Sequence, residues 1–194
     1  KKFAHIKDIQ RRIFAAMLAN MDDSIGAILK KLRAKNLEEN TLIFFLSDNG
    51  GPTRELTSSN APLREGKGTV YEGGVRVPFL IQWKGTVPKG QTYDKPVISL
   101  DLFATSTALA KAEVKRPLDG VNIIPYLTGQ KKGIPHQTLY WRLGDRTAIR
   151  HGDWKLLRNP KRGKKSDWEL YNLTEDVSEE KDLATIRTDK VDEL

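Results

Sequence analysis

The stretch Thr41–Gly51, TLIFFLSDNGG, limits the possible folds of this chain more than any other. Leu42–Leu46 is an unbroken apolar run that ends abruptly at a serine, an aspartate, an asparagine and two glycines. A short continuous apolar run of this kind fits a strand buried on both faces, as in parallel sheets covered by helices. In such sheets ligands bind in the crevice beyond the carboxyl ends of the strands. Asp48 and Asn49 are therefore predicted to stand at that edge as two neighbouring oxygen donors. Gly50 and Gly51 would let the chain turn away without a side chain in the approach. Ser-Asp-Asn-Gly-Gly is also ordinary turn chemistry, so this stretch alone leaves both readings open.

The flanking segments supply the context. From Asp8 to Ala34 the residues Ile9, Ile13, Met17, Met21, Ile25, Ile28 and Leu32 recur at helical spacing and predict a long amphipathic helix whose stripe belongs to a core. Asp22 and Asp23 are adjacent on that helix, so their side chains diverge and are expected on its solvated face. Helix, polar link and buried strand in succession form the rhythm of an α/β sheet. Residues 52–62 read as an exposed loop. In Leu63–Pro78, LREGKGTVYEGGVRVP, the glycines at 66, 68, 73 and 74 mark tight turns, and Lys67 projects from between two of them. Val77–Trp83 predicts a second strand entered through Pro78. Ser99–Lys111 predicts a helix capped by Ser99, and Asn122–Leu127 a single helical turn.

Beyond Pro135 the pattern changes. Leu139–Trp141, Ala148–Arg150, Trp154–Leu157 and Trp168–Tyr171 are short aromatic-rich runs separated by Gly, Asp and Asn. They predict a small antiparallel sheet of three or four strands, with a last helix in Thr174–Ala184 and the tail. The expected division is into residues 1–134 and 135–194.

Composition sets the outer bounds. A chain of 194 residues can bury a sizeable core, and a mean hydropathy of −0.53 fits neither a membrane protein nor a disordered one. No apolar run approaches membrane-spanning length. No signal-peptide pattern opens the chain, whose start reads as the interior of a longer protein. The net charge of +8 favours anionic partners. The absence of cysteine excludes disulfides, thiolate nucleophiles and cysteine-ligated metals.

Two places can carry chemistry. A carboxylate beside a carboxamide suits calcium or magnesium, both oxygen-seeking ions, although calcium takes about six to eight oxygens and this pair supplies a minority. Lys67 would act as a compact positive charge on an oxyanion. In order along the chain stand AMLANMDDSIG, LIFFLSDNGG, GKGTVYEGGVRVP, Ser99–Leu102, Leu118–Leu127 (LDGVNIIPYL), Ala148–Leu156 (AIRHGDWKL) and Glu169–Leu173 (ELYNL). In that order and spacing the chain resembles the type I, formylglycine-dependent sulfatases of the alkaline-phosphatase-like superfamily, over almost its whole length. The resemblance implies an α/β fold: the C-terminal part of a mainly parallel sheet flanked by helices, followed by a small antiparallel subdomain with a helix. It implies that Asp48 and Asn49 ligate a calcium or magnesium ion and that Lys67 contacts the sulfate group of a sulfated small molecule or saccharide. Glu72 and Arg76 fall within the pattern and read as structural, paired with each other.

The chain also departs from that family. Its nucleophile is a formylglycine made from cysteine or serine in a C/S-x-P-x-R signature, and this chain has no cysteine and no Ser-x-Pro-x-Arg. The paired aspartates of the family's first strand and a histidine-bearing segment are missing too. The expectation is a C-terminal portion whose partner is the N-terminal half of the same protein, inactive alone. No nucleic acid partner is expected, and the resemblance implies a periplasmic, secreted or lysosomal home. A phosphate or phosphonate monoesterase of the same superfamily, and a non-catalytic polyanion-binding module resting on Lys161–Lys165, stand as alternatives. His136 and His151 read as structural histidines, and Asn172-Leu173-Thr174 as a weak glycosylation acceptor.

Overall fold

Residues 2–53, 58–160 and 166–194 are described by the computed structural model. The lysine-rich cluster Lys161–Lys165 and part of the loop after Pro52 lie outside them. The long helix α1 runs Ile9–Ala34. Its start is capped by Asp8, whose carboxylate accepts the Arg11 N–H at 2.7 Å. Its last turn carries Lys31 and Arg33, where cations complement the helix dipole, and Asn36 in the left-handed region turns the chain away.

The stripe of α1 is formed as expected but not buried. No residue of the helix is buried, and Ile9, Ile13, Met17, Met21 and Ile28 are all exposed. An amphipathic helix gains most of its stability by packing that face, and among the described residues no element of this chain buries it. Asp22 and Asp23 are exposed, as their spacing predicts.

Strand β1 (Ile43–Leu46) pairs with β2 (Phe79–Gln82) in a two-stranded sheet, where the Phe44 and Phe79 rings stack with centroids 6.2 Å apart. The sequence predicts burial on both faces; in the structure no residue of β1 is fully buried and Phe45 is exposed. A pair of strands covers only one edge of each, so complete burial would require further strands and helices on it.

By its internal contacts the chain divides into two compact units. One comprises Leu29–Phe45 and Phe79–Gln137. It holds α3 (Leu100–Leu109) and the single turn α4 (Ile124–Leu127). Ser99 does not cap α3; it sits in the helical region with no side-chain hydrogen bond. Asp101, fully buried in the first turn, instead ties the helix to its surroundings, accepting from Ile98 N at 2.9 Å and Val121 N at 2.8 Å and bonding His136 Nε2 at 2.8 Å. Glu38, also buried, receives Lys84 Nζ at 2.6 Å and Arg33 Nε at 3.0 Å.

The other unit comprises Lys1–Ile28, Leu46–Pro78 and Thr138–Leu194. Its sheet is an antiparallel meander of β3 (Thr138–Leu143), β4 (Arg146–His151), β5 (Trp154–Arg158) and β6 (Glu169–Asn172), as the aromatic-rich runs predict. Register places Trp141 opposite Ala148 and Ala148 opposite Leu157, so these share one face. Together with Val70, Tyr71, Tyr171 and Leu173 they form the core. Each such side chain contributes about 1.5–3 kcal/mol on burial. His151, at the end of β4, bonds Thr138 Oγ1 through Nδ1 at 2.7 Å. The last helix, α5, is Thr188–Glu193, within the predicted tail, while Thr174–Ala184 forms no helix.

Candidate functional site

Asp48 and Asn49 form a bend directly beyond β1, with Asp48 exposed and Asn49 half-buried. The strand's ladder ends one residue earlier, where Ser47 N donates to Pro78 O at 3.2 Å. Ser47 Oγ then donates to Asn49 O at 2.7 Å, folding the bend on itself. Among the described residues neither the Asp48 carboxylate nor the Asn49 side chain is engaged in a hydrogen bond, and Asp48 takes part in no ion pair.

The reason for the two glycines differs from the expected one. Neither Gly50 nor Gly51 has a left-handed backbone. What Gly50 provides is close approach: its N–H donates to Gly74 O at 3.0 Å, and a Cβ there would lie 1.6 Å from Gly73 O. Those carbonyls belong to α2 (Glu72–Val75), the turn EGGV. Gly51 is clamped by Asn60, whose Oδ1 accepts from Gly51 N at 2.9 Å while its Nδ2 donates to Gly51 O at 3.0 Å.

Lys67 reaches the same cluster. Its backbone N–H donates to Gly51 O at 3.2 Å, and its side chain is exposed. The preceding Gly66 has no room for a side chain either, since a Cβ would stand 2.2 Å from Gly51 O. Arg146 Nη1, from β4, donates to Gly68 O at 2.7 Å and Thr69 Oγ1 to Gly66 O at 2.9 Å, which pin the turn from behind. The backbones that carry Asp48, Asn49 and Lys67 are therefore joined by direct hydrogen bonds. A carboxylate and a carboxamide suit a divalent cation and an ammonium suits an oxyanion.

Two donors are a fraction of the ligand set that calcium or magnesium requires. Among the described residues no group of three or more His, Asp and Glu could hold a metal. The chemistry of Asp48 and Asn49 fits one side of an oxygen-lined cation site, and the rest of the ligands would come from elsewhere.

Beneath this frame lie residues that sequence reasoning missed. Lys155, from β5, is fully buried and donates to Glu72 Oε1 at 2.9 Å; its Nζ stands 2.8 Å from Glu179 Oε1. Glu72 also meets Arg76, as the pattern suggests, but at 3.8 Å and on the more exposed side. Arg64 stacks over the Tyr71 ring at 4.1 Å and donates to Tyr171 Oη at 2.8 Å and Glu179 O at 2.7 Å. Both phenols donate to Glu169, and burial followed by that bond pushes each above the usual tyrosine range, so they stay protonated donors. The available signal was Lys155 itself, a lysine inside an otherwise apolar run.

Burial raises the Glu179 carboxyl above its ordinary value of 4.5, against the Lys155 ammonium and the Glu72 N–H, which lower it, with the Glu72 carboxylate adding a smaller rise. The groups that face it are Lys155, Glu72, Tyr71 and Arg64. A group raised on folding stabilises the native state fully below its unfolded value and loses that contribution as pH climbs through the folded one. The urea midpoint of the wild type should therefore fall between pH 4.5 and the raised value relative to Glu179→Gln, which has no proton to lose there. Parallel curves for the two proteins would count against the buried acid.

Comparison with known proteins places the arrangement. The family model described as Sulfatase matches residues 2–112. The chain belongs to the sulfatase family. A second model, N-sulphoglucosamine sulphohydrolase, C-terminal, matches residues 66–192 of this sulfatase chain. Human N-acetylgalactosamine-6-sulfatase is 41% identical over 123 residues, 61% of this chain and 24% of its own length. Rat steryl-sulfatase is 36% identical over 129 residues, 62% of this chain and 22% of its own. Among solved structures, Ps i-CgsB in complex with k-i-k-neocarrahexaose superposes with a TM-score of 0.87 at 34% identity, covering 99% of this chain and 43% of that one. The PsFucS1 sulfatase from Pseudoalteromonas sp. gives 0.73 at 31%, covering 84% and 36%. The fold is the α/β fold of these sulfatases, and the chain spans about a quarter of the curated relatives named here. Among the described residues no helix is long and apolar enough to cross a membrane.

Proposed function

We propose that this chain is the C-terminal part of a sulfatase that hydrolyses a sulfate ester, with Asp48 and Asn49 as two ligands of a calcium or magnesium ion and Lys67 on the sulfate. The observation that carries the reading is the bond from Lys67 N to Gly51 O, which ties the lysine's turn to the Asp-Asn bend. Residues 1–134 belong to the α/β catalytic domain and 135–194 to a smaller antiparallel subdomain. Bound there, the cation supplies Lewis-acid polarisation of a sulfuryl oxygen. The chain's own contributions are to hold that cation on one side, to place a fixed positive charge where negative charge gathers on the transferred sulfuryl group, and to keep both from drifting.

The nucleophile, a formylglycine in this reading, lies in a preceding N-terminal half, and so do the remaining metal ligands. The exposed stripe of α1 supports that division, being an apolar face of the kind a neighbouring layer covers. The substrate is a sulfated saccharide or a sulfated small molecule; the saccharide is supported by the carbohydrate bound in the Ps i-CgsB structure. A periplasmic, secreted or lysosomal location belongs to the same reading.

The test is turnover of matched aryl sulfate and aryl phosphate by the longest polypeptide that carries this chain, with and without Lys67→Ala. Sulfate hydrolysis reduced by about a thousandfold in the variant, within the range of losing a transition-state charge contact, supports the proposal. Preference for the phosphate would assign the protein to the phosphate and phosphonate monoesterases, and a variant with unchanged sulfatase activity would remove Lys67 from the site.

A further inference from the structure

Behind the Asp48–Asn49 bend and the Lys67 turn lies a buried ion cluster. Lys155, Glu72 and Glu179 are each at most 2% exposed. Glu72 is held at both ends: its carboxylate takes the Lys155 ammonium at 2.9 Å, and its backbone N–H donates to Glu179 Oε2 at 2.6 Å. The next two residues are Gly73 and Gly74, the surface against which Gly50 is packed with no space to spare. Gly73 N is tied in turn to Arg64 O at 2.9 Å, beside the Lys67 turn. A shift of Glu72 therefore cannot be absorbed before it reaches the Asp48–Asn49 bend, because close-packed backbone transmits displacement.

We propose that Lys155 is a positioning residue: by locking Glu72 and Glu179 it sets the place of the EGGV turn, and through Gly50 the place of Asp48 and Asn49. The inference deepens the site reading given above. Lysine suits the position because its single ammonium can reach two carboxylates from one apolar strand while its stem packs among the core side chains. The cluster has one cation for two carboxylates, and the fourth charge, Arg76 at 3.8 Å from Glu72 Oε2, faces solvent. Removing Lys155 leaves two carboxyl groups facing each other without a buried cation, and their separation must grow.

Hydrogen–deuterium exchange read by mass spectrometry tests this on the longest polypeptide that carries the chain, as wild type, Lys155→Arg and Lys155→Met. Global destabilisation by itself speeds exchange in the core strands, so the reference is a buried-core variant of similar urea midpoint, Leu157→Ala; in Lys155→Met the peptides covering 47–51 and 66–69 should exchange about tenfold faster than in that reference, with those covering β3 and β4 within about twofold of it. Lys155→Arg, which keeps a cation, should retain most of the wild-type protection in the site peptides. Exchange at 47–51 no faster in Lys155→Met than in Leu157→Ala overturns the proposal. Should Lys155→Met fail to fold, Lys155→Gln decides: it removes the cation while keeping a donor for one carboxylate, and should loosen the same peptides by a smaller factor, with no change there overturning the proposal. The aryl sulfate assay on the wild type is a separate readout. A wild type without turnover defeats the site reading and leaves the exchange result to stand or fall by itself.

Discussion

Replacing Lys155 by methionine should lower the stability of the chain by about 3–5 kcal/mol, the range seen when one partner of a buried ion pair is removed. The loss comes less from the missing attraction than from what remains: Glu72 and Glu179, each almost wholly out of water and without the ammonium that met both. Folded proteins hold only about 5–15 kcal/mol in total, so the variant should unfold at a much lower urea concentration. A combined variant, Lys155→Met with Glu72→Met and Glu179→Gln, should recover much of the loss. It removes all the buried charge while the glutamine oxygen keeps accepting from the residue 72 N–H, and apolar replacement of a whole buried cluster is often neutral or better. A triple variant no more stable than Lys155→Met would show that packing around the lysine stem, and not unpaired charge, accounts for the effect.

Gly50→Ala is the second large effect. An added Cβ would stand 1.6 Å from Gly73 O and 2.7 Å from Gly73 C, backbone atoms that have no rotamer to escape into. The bend after β1 and the EGGV turn must separate, which breaks the bond from Gly50 N to Gly74 O. The expected loss is about 3 kcal/mol, the upper part of the range for overpacking. Gly26→Ala is the control, since a Cβ there meets nothing within 4 Å. Within a helix that change should add up to about 1 kcal/mol. Urea titrations of the two variants side by side check both signs, and a Gly50→Ala protein as stable as the wild type would refute the close approach.

How much of this was legible in the sequence varies by element. Local patterns sufficed where the signal was local. The apolar run before Asp48 located β1, the repeat from Ile9 to Leu32 located α1, and the aromatic runs separated by Gly and Asp located the four-stranded meander. The glycines of GKG and EGGV were recognisable as turns. Their need for close backbone contact was not, because the neighbour that forbids a Cβ at Gly50 is Gly73, distant in sequence. The last helix forms in the tail only, and the lack of helix in Thr174–Ala184 has a physical cause. In Thr174–Ala184 the carboxylates of Asp176 and Asp182 accept backbone N–H groups of Glu180, Lys181, Leu170 and Ala184. Side chains that bond the backbone in this way compete with helix formation, and Glu179 adopts the left-handed region within the same segment. The buried cluster was hidden for a related reason. Lysine is almost never fully buried unless paired, and the partners of Lys155 come from α2 and from the segment after β6.

The exposed stripe of α1 illustrates a different limit. Periodicity states that a face is apolar and says nothing of which element covers it. Here Met17 and Met21 stand in solvent, and in the proposed whole sulfatase they meet a layer that the N-terminal half provides.

The account turns on Asp48, Asn49 and Lys67 acting on one bound anion. The most direct measurement is a double-mutant cycle on sulfate-ester turnover, with Asp48→Ala, Lys67→Ala and the two combined, in the longest polypeptide that carries the chain. Groups that act as a unit lose far less in combination than the sum of their separate losses. The account predicts a double variant about as impaired as the worse single one. Losses that add in full, or an Asp48→Ala enzyme with wild-type turnover, would contradict it.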